Sequence, residues 1–373
     1  MSNLNNLPSI TFAEKDASII EAEIIDQYEE TSGVILADAD PRKKLLQSEV
    51  PIIAGQRNVI DKAAKRNLLA YADGDYLDHI GIMVGCIRIT ATAATTTLRF
   101  TLIKSRTVST TIPAGTRVTA GDGIYFATDA ALVIASGSIT GYAAATCTTT
   151  GDTGNVYAIG NLITIVDPVA YVSSVSNTTA SAGGADEESD DDFRERIQLA
   201  PESFSTAGPT GAYEYWAKTA SSLIADVKAY SPSAGCVAIC VLMDGGALPE
   251  TEILRDVQEI CSDSKIRPLT DNVSAIAPTR VDYDINVTYY INKSNENLAN
   301  NITTVVTAAV ATYQSWQKAK LGRSVDPSEL IYKMKAAGAS RVTVKAPVYT
   351  ELTDTQVAKE GTVIINYGGV ENE

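Results

Sequence analysis

Six carboxylates fall within seven positions, Asp186, Glu187, Glu188, Asp190, Asp191 and Asp192, and no other stretch of the chain is so dense in titratable side chains. So many acids suggest a calcium ligand set. A calcium loop, however, takes its acids from alternate positions with a mid-loop glycine and a terminal glutamate, and consecutive acids at a helix start cannot converge on one ion. The same residues suit the first turn of a helix: Ser189 with Asp192 three positions on fits a capping signal, and each charge gains about 0.3–1 kcal/mol from the helix dipole. Arg194 and Arg196 follow directly, placed to pair with these acids internally or across an interface.

Asp282 and Asp284 share one face of an alternating segment and could serve as the carboxylate pair of a glycoside hydrolase. Alternation on a half-solvated strand explains them equally well without chemistry. Cys236 and Cys240 lie in the apolar run GCVAICVLM, where residues four apart share a face and pack as small soft side chains. The 5 cysteines are scattered and odd in number, which does not make a disulfide framework. A zinc site would need further ligands at fixed spacing, and the single histidine, His79 in YLDHIGIM, has no such neighbours. Dinucleotide fingerprints, phosphate loops, serine elbows and zinc-protease motifs are absent from the sequence. The expectation is therefore no catalytic residue, no cofactor and no metal.

Composition narrows the partners. A formal charge of −15 over 373 residues disfavours nucleic acid and anionic lipid, which need clustered Lys and Arg. No apolar run reaches the roughly 18 residues of a membrane span, so no membrane insertion is expected. The N-terminus MSNLNNLPSITFAEKD lacks the basic-then-apolar order of a signal peptide, which implies synthesis in the cytoplasm.

The elements that must position these residues fall into successive blocks. Residues 1–90 carry helical patterns. Ser18 to Glu21 fits a capping box, with Ile20, Ile24 and Tyr28 on one stripe and Gly33 ending the segment. Asp40-Pro41 opens a second helix with Leu45 and Leu46 on its inner face; Pro51 should break or kink it, and the pattern should close at Gly74. Such narrow stripes suit helices that pack on each other or on another chain. Residues 91–182 contain no glutamate, four aspartates and four basic residues amid dense Thr, Val, Ile and Gly, which reads as a β-sandwich or barrel-like domain. Residues 183–225 form a hinge with connecting helices, in which Phe193 and Ile197 pair at i, i+4 and a second helix starts at Thr210. Residues 226–373 alternate strands and helices, with an unbroken period of two from Val281 to Ile291. The fold class expected is α+β multidomain: N-terminal helices, a central mainly-β domain and small C-terminal α+β domains.

Several stretches converge on a family. ADGDYLDHIGIMVGCIR (72–88), TIPAGTRVTAGDGIYFAT (111–128) with the later TGDTGNVYAIGNL, and GGADEESDDDFRERI (183–197) followed by GPTGAYEYWAKTA resemble the baseplate J-like proteins of contractile phage tails. VKAYSPSAGCVAICVLMDGGALPE (227–250) and IRPLTDNVSAIAPTRVDYDINVTYYI (266–291) extend the likeness in the same order. Members often carry threonine where this chain has Ala185. The resemblance implies a structural baseplate wedge subunit of a contractile tail or contractile bacteriocin, in the baseplate of the virion or particle and assembled in the bacterial host. It further implies a second copy and a smaller wedge partner subunit joined through the N-terminal helices. C-terminal contacts to neighbouring wedges would form a sixfold ring around the hub, near sheath-proximal baseplate proteins, and would couple rearrangement to sheath contraction. On this basis Ile20, Ile24, Leu45 and Leu46, and the acidic turn Asp190 and Asp191 with Arg194 and Arg196, are the interface residues expected. The alternative of a different class is a tail-associated glycan hydrolase or depolymerase using Asp282 and Asp284.

Overall fold

The computed structural model describes residue 4, residues 7–205 and residues 207–372. The chain forms two compact units, one of residues 1–88 with 189–198 and one of residues 89–188 with 199–373.

The first unit is helical. Helix α1 (Ala17–Ser32) and α2 (Pro41–Lys65) form an antiparallel hairpin, tied by Gln47 Nε2 to Glu21 Oε1 at 2.7 Å and Arg57 to Glu23 at 3.0 Å. Asp16, not Ser18, caps α1: its carboxylate accepts the Ser18 amide at 2.8 Å. Gly33 ends the helix in the left-handed region at φ 68°, donating its amide to Glu29, and Asp40 with Pro41 starts α2 as the sequence implies. Pro51 does not break α2, which runs through it. The ring lies on the exposed side of the helix, where the Gln47 carbonyl it leaves unbonded can meet water. Nor does the pattern run to Gly74. Asn67 turns its side-chain amide onto the carbonyls of Ala63 and Ala64, at 3.1 and 3.3 Å, ending α2 at Lys65, and Gly74 instead opens α3 (Gly74–Met83). Helix α4 (Asp190–Leu199) completes the unit, burying Phe193 and Ile197.

The second unit begins with a curled six-stranded sheet. Its strands are β1 (Ala93–Leu102), β3 (Arg117–Thr119), β4 (Tyr125–Thr128), β6 (Thr140–Thr150), β7 (Thr164–Ile165) and β8 (Val172–Asn177), in the order β7-β3-β4-β6-β1-β8. The end strands β7 and β8 also touch, so the sheet is a nearly closed barrel; β2 (Thr110–Ile112) and β5 (Leu132–Ile134) add a small hairpin. The reason lies in the alternation: Leu98, Phe100 and Leu102 of β1 point into a core with Val118, Phe126 and Leu162, while Arg99 and Thr101 point outward.

Two α+β layers follow. Helix α5 (Thr210–Lys218) and α6 (Thr251–Cys261) cover a three-stranded sheet of β9 (Ile224–Ser233), β10 (Cys236–Met243) and β11 (Asn272–Ile276), packing Tyr213, Val257 and Cys261 on Val227, Ile239 and Val241. Then α7 (Ala299–Lys318) and α8 (Pro327–Ala336) cover β12 (Thr279–Asn292), β13 (Arg341–Ala346) and β14 (Gln356–Glu371). The alternating residues Tyr283, Ile285, Val287, Tyr289 and Ile291 of β12 are buried with Val306, Val310, Tyr313 and Leu330. A seam of Cys240, Leu242, Leu321 and Val357 joins the two layers, reinforced by Asp226 accepting the Leu321 amide at 2.9 Å. The architecture is α+β multidomain, as expected.

Candidate interaction surfaces

A helix that packs on one neighbour buries one stripe; α2 carries two. Its inner stripe, Leu46, Val50, Ile53 and Asp61, is buried or half-buried in the hairpin. Its outer stripe, Leu45, Ile52, Val59 and Ile60, is between 56% and 66% exposed. Leu45, Ile52 and Val59 recur every seven residues, the spacing of a helix-to-helix seam. Ile52, Gly55, Gln56, Val59 and Ile60 line a shallow surface concavity. The four apolar residues expected at an interface therefore part company. Ile20 is fully buried, Ile24 and Leu46 are half-buried, and Leu45 stands outward.

The acidic run is divided between the two units. In the second, the Asp186 carboxylate accepts the Asp152 amide at 3.1 Å, and the buried Glu188 carboxylate accepts the Ile89 amide at 3.0 Å. Glu187 is exposed. In the first, Ser189 and Asp192 bond reciprocally across the start of α4, the capping arrangement the spacing implies. Asp190 accepts the Gly74 amide at the start of α3 at 3.0 Å and pairs with Arg88 at 2.8 Å; that amide, then the guanidinium, hold its carboxyl below the ordinary carboxylate range. Asp191 is solvent-exposed and pairs with Arg194 at 2.5 Å.

Of the two alternatives for the arginines, the structure displays internal pairing. Arg194 donates Nε to the Leu69 carbonyl at 2.9 Å and Nη2 to the Ala72 carbonyl at 2.8 Å, so it closes the turn that follows α2. Arg196 is 3% exposed, donates to the Ile87 carbonyl at 2.6 Å and lies 5.5 Å from the centre of the Phe193 ring. Helix α4 is thereby a clamp whose cations satisfy carbonyls of the chain segments around α3.

A residue the sequence did not single out does similar work at the other end. Asp61 on α2 is 1% exposed and accepts the Phe12 amide at 2.9 Å, Lys15 Nζ at 2.7 Å and Lys65 Nζ at 2.9 Å. Lys15 first, then the Phe12 amide and Lys65, hold its carboxyl far below the ordinary range. Only Lys65, four residues on, could have been suspected from spacing; the other partners are 46 and 49 residues away.

The residues weighed for chemistry stay apart or serve the fold. Asp282 and Asp284 are both exposed, and the Asp284 carboxylate accepts the Thr362 amide at 2.7 Å. Two surface concavities, the one along α2 and one along α6 lined by Thr251, Leu254, Arg255, Gln258, Glu259 and Ser262, include neither aspartate. All five cysteines are free thiols; burial pushes Cys240 and Cys261 up to about 12, away from thiolate chemistry at neutral pH. His79 is exposed on α3. Among the described residues no group of three His, Cys, Asp or Glu side chains could hold a metal ion, and no helix is long and apolar enough to cross a membrane.

Comparison with known proteins gives these surfaces a setting. The baseplate J-like N-terminal domain matches residues 38–95, the baseplate J-like barrel domain residues 97–184 and the baseplate J-like central domain residues 205–277. Baseplate protein J of Escherichia phage P2 is 33% identical over 164 residues, 43% of this chain and 53% of that protein, so the chain spans about half the length of this curated relative. A chain in the 6-fold symmetrised cryo-EM structure of the anti-feeding prophage baseplate is similar over 94% of this chain and 100% of its own, at 13% identity and a TM-score of 0.47. With three successive domains of one family matched in chain order over more than half of its length, this chain belongs to the baseplate J-like protein family.

Proposed function

We propose that the chain is a structural wedge subunit of the baseplate in a contractile phage tail or contractile bacteriocin. The observation that carries this reading is the outward apolar stripe of α2, Leu45, Ile52 and Val59, on a member of the baseplate J-like family. An apolar stripe of seven-residue period on a helix already packed along its other side suits a further helix. In this reading the helices of residues 1–90 bundle with a second copy and a smaller wedge partner, with residues 91–182 as the β domain and 183–225 as the connector. Residues 226–373 reach neighbouring wedges in a sixfold ring around the hub and near the sheath-proximal proteins. The ring holds the sheath extended until its interfaces rearrange. The work is done by contacts and not by bond chemistry, and the use of the Asp284 carboxylate by a backbone amide supports the same view.

Co-expression with adjacent tail genes is the test. The chain is expected to co-purify with a smaller tail protein, and Ile52→Lys with Val59→Lys should abolish co-purification while leaving the circular-dichroism spectrum and melting temperature of the isolated chain unchanged. Capture of the smaller protein by the doubly substituted chain at the native level would sink the role given to α2. Failure of the native chain to enter any tail complex would sink the subunit reading itself.

A further inference from the structure

Strand β14 is an edge. Among the described residues it pairs with a strand along one side only, β12 in parallel; on its other side the Gln356 carbonyl at its start accepts the Gly322 amide at 2.9 Å, and no strand lies against the rest. Exposed edges are normally blunted by lysine, proline or brevity. This edge spans 16 residues, and ten consecutive ones, Gly361 to Val370, contain neither a charge nor a proline. Ile364 and Tyr367 there are 43% and 47% exposed.

About Ile365 the residues at even offsets match, while those at odd offsets do not, Ile364 standing against Asn366, Thr362 against Gly368 and Glu360 against Val370. Two positions away on either side stand the apolar Val363 and Tyr367; four positions away, Gly361 and Gly369; six positions away, the opposite charges Lys359 and Glu371. The β12 ladder slips by one extra β14 residue between Glu360 and Val363, and again between Tyr367 and Val370, so the two bulges are also equidistant from Ile365. Lys359 and Glu371 align with Asp282 and Asn292, on the face of β12 opposite its buried residues, so both charges lie on one face of the sheet.

We propose that β14 pairs antiparallel with β14 of a second copy of this chain, about a two-fold axis through Ile365, joining two three-stranded sheets into one of six. A two-fold contact requires a patch complementary to itself. This register supplies one: Lys359 meets the second copy's Glu371 at both ends, glycine meets glycine, and each bulge faces a bulge, so neither slips the ladder. A strand from an unrelated protein would make no use of that symmetry. The inference rests on the subunit reading and gives residues and a register to the contact between copies that it assigns to residues 226–373, on a different surface from α2.

The experiment is sedimentation of the full chain carrying Ile52→Lys with Val59→Lys, which remove association through α2. A concentration-dependent dimer is expected. Lys359→Glu alone sets glutamate against glutamate at both ends, and Glu371→Lys alone sets lysine against lysine; each should raise the dimer Kd on the order of tenfold. An equimolar mixture of the two variants pairs opposite charges at both ends and should recover near-native affinity. Because Glu371 also holds Arg341 at 2.8 Å, Ile364→Lys gives an independent reading that leaves that pair intact, and it too should shift the dimer to monomer. A monomer at the highest soluble concentration overturns the proposal, as does a mixture no tighter than its components or a dimer indifferent to Ile364→Lys. Exclusion from tail complexes would instead count against the subunit reading and leave this measurement untouched.

Discussion

A buried carboxylate with three donors, two from the segment before α1 and one from α2 itself, fixes more than its own position. Asp61 ties Phe12 and Lys15 of the segment before α1 to the far end of α2. Asp61→Asn keeps the shape but removes the charge that both lysines meet, leaving them to be resolvated. The expected outcome is a folded chain whose amides around residues 10–16 exchange faster and whose first peptide bonds are cut sooner by protease, with the barrel amides unchanged. Arg194 belongs to the same scale. Arg194→Ala leaves the Leu69 and Ala72 carbonyls without their donor, at a cost of about 1–3 kcal/mol to the helical unit. Chemical denaturation followed through helical signal checks it. Charge type and position alone left Arg194 and Arg196 open between internal and external partners, because their acceptors are carbonyls more than a hundred residues away for which no side chain speaks.

At the scale of elements, periodicity was informative wherever burial is one-sided. The β12 alternation, the i, i+4 pair of α4 and the Thr210 start of α5 are all where the pattern places them. Stops were harder to read, because each is decided by a local competition. Asn67 ended α2 before Gly74 could, and Pro51, on the solvent side, did not end it. Strands β9 and β11 flank β10 and have no clean alternation of their own; they are strands because β10 offers them a ladder on each side. One helix contact was invisible in the sequence. Gly81 of α3 lies so close to α4 that a Cβ there would stand 2.6 Å from Phe193 Cζ and 2.7 Å from the Cys86 carbonyl oxygen. Neither the backbone carbonyl nor a fully buried ring yields cheaply. Gly81→Ala should therefore destabilise the helical unit by about 1–3 kcal/mol despite alanine's better helix propensity, the reverse of what the substitution does on an exposed helix face. A melting temperature that rises in Gly81→Ala would refute the close packing of α3 on α4.

For the whole molecule the acid excess is structured, not diffuse. The β domain carries equal numbers of acids and bases, so the charge of −15 lies elsewhere. Much of what lies elsewhere is paired. Arg42 draws Asp40 down to about 2, and the guanidinium of Arg341 lowers Glu371, while Arg117 does the same to Asp167 in the barrel, to about 2. Asp61 and Asp190 are depressed as well. Each of these groups has a folded pKa below its unfolded value, so between the two the unfolded chain binds more protons and stability rises with pH. The contribution is fully present above the unfolded carboxylate range near 4 and is lost as pH falls from there towards 2. The chain should therefore hold a flat melting temperature from neutrality to about pH 5 and lose it steeply below about pH 4, with the helical unit, which holds Asp40, Asp61 and Asp190, opening before the barrel, which holds Asp167. Hydrogen exchange at stepped pH resolves the order, and simultaneous opening of both units would contradict it.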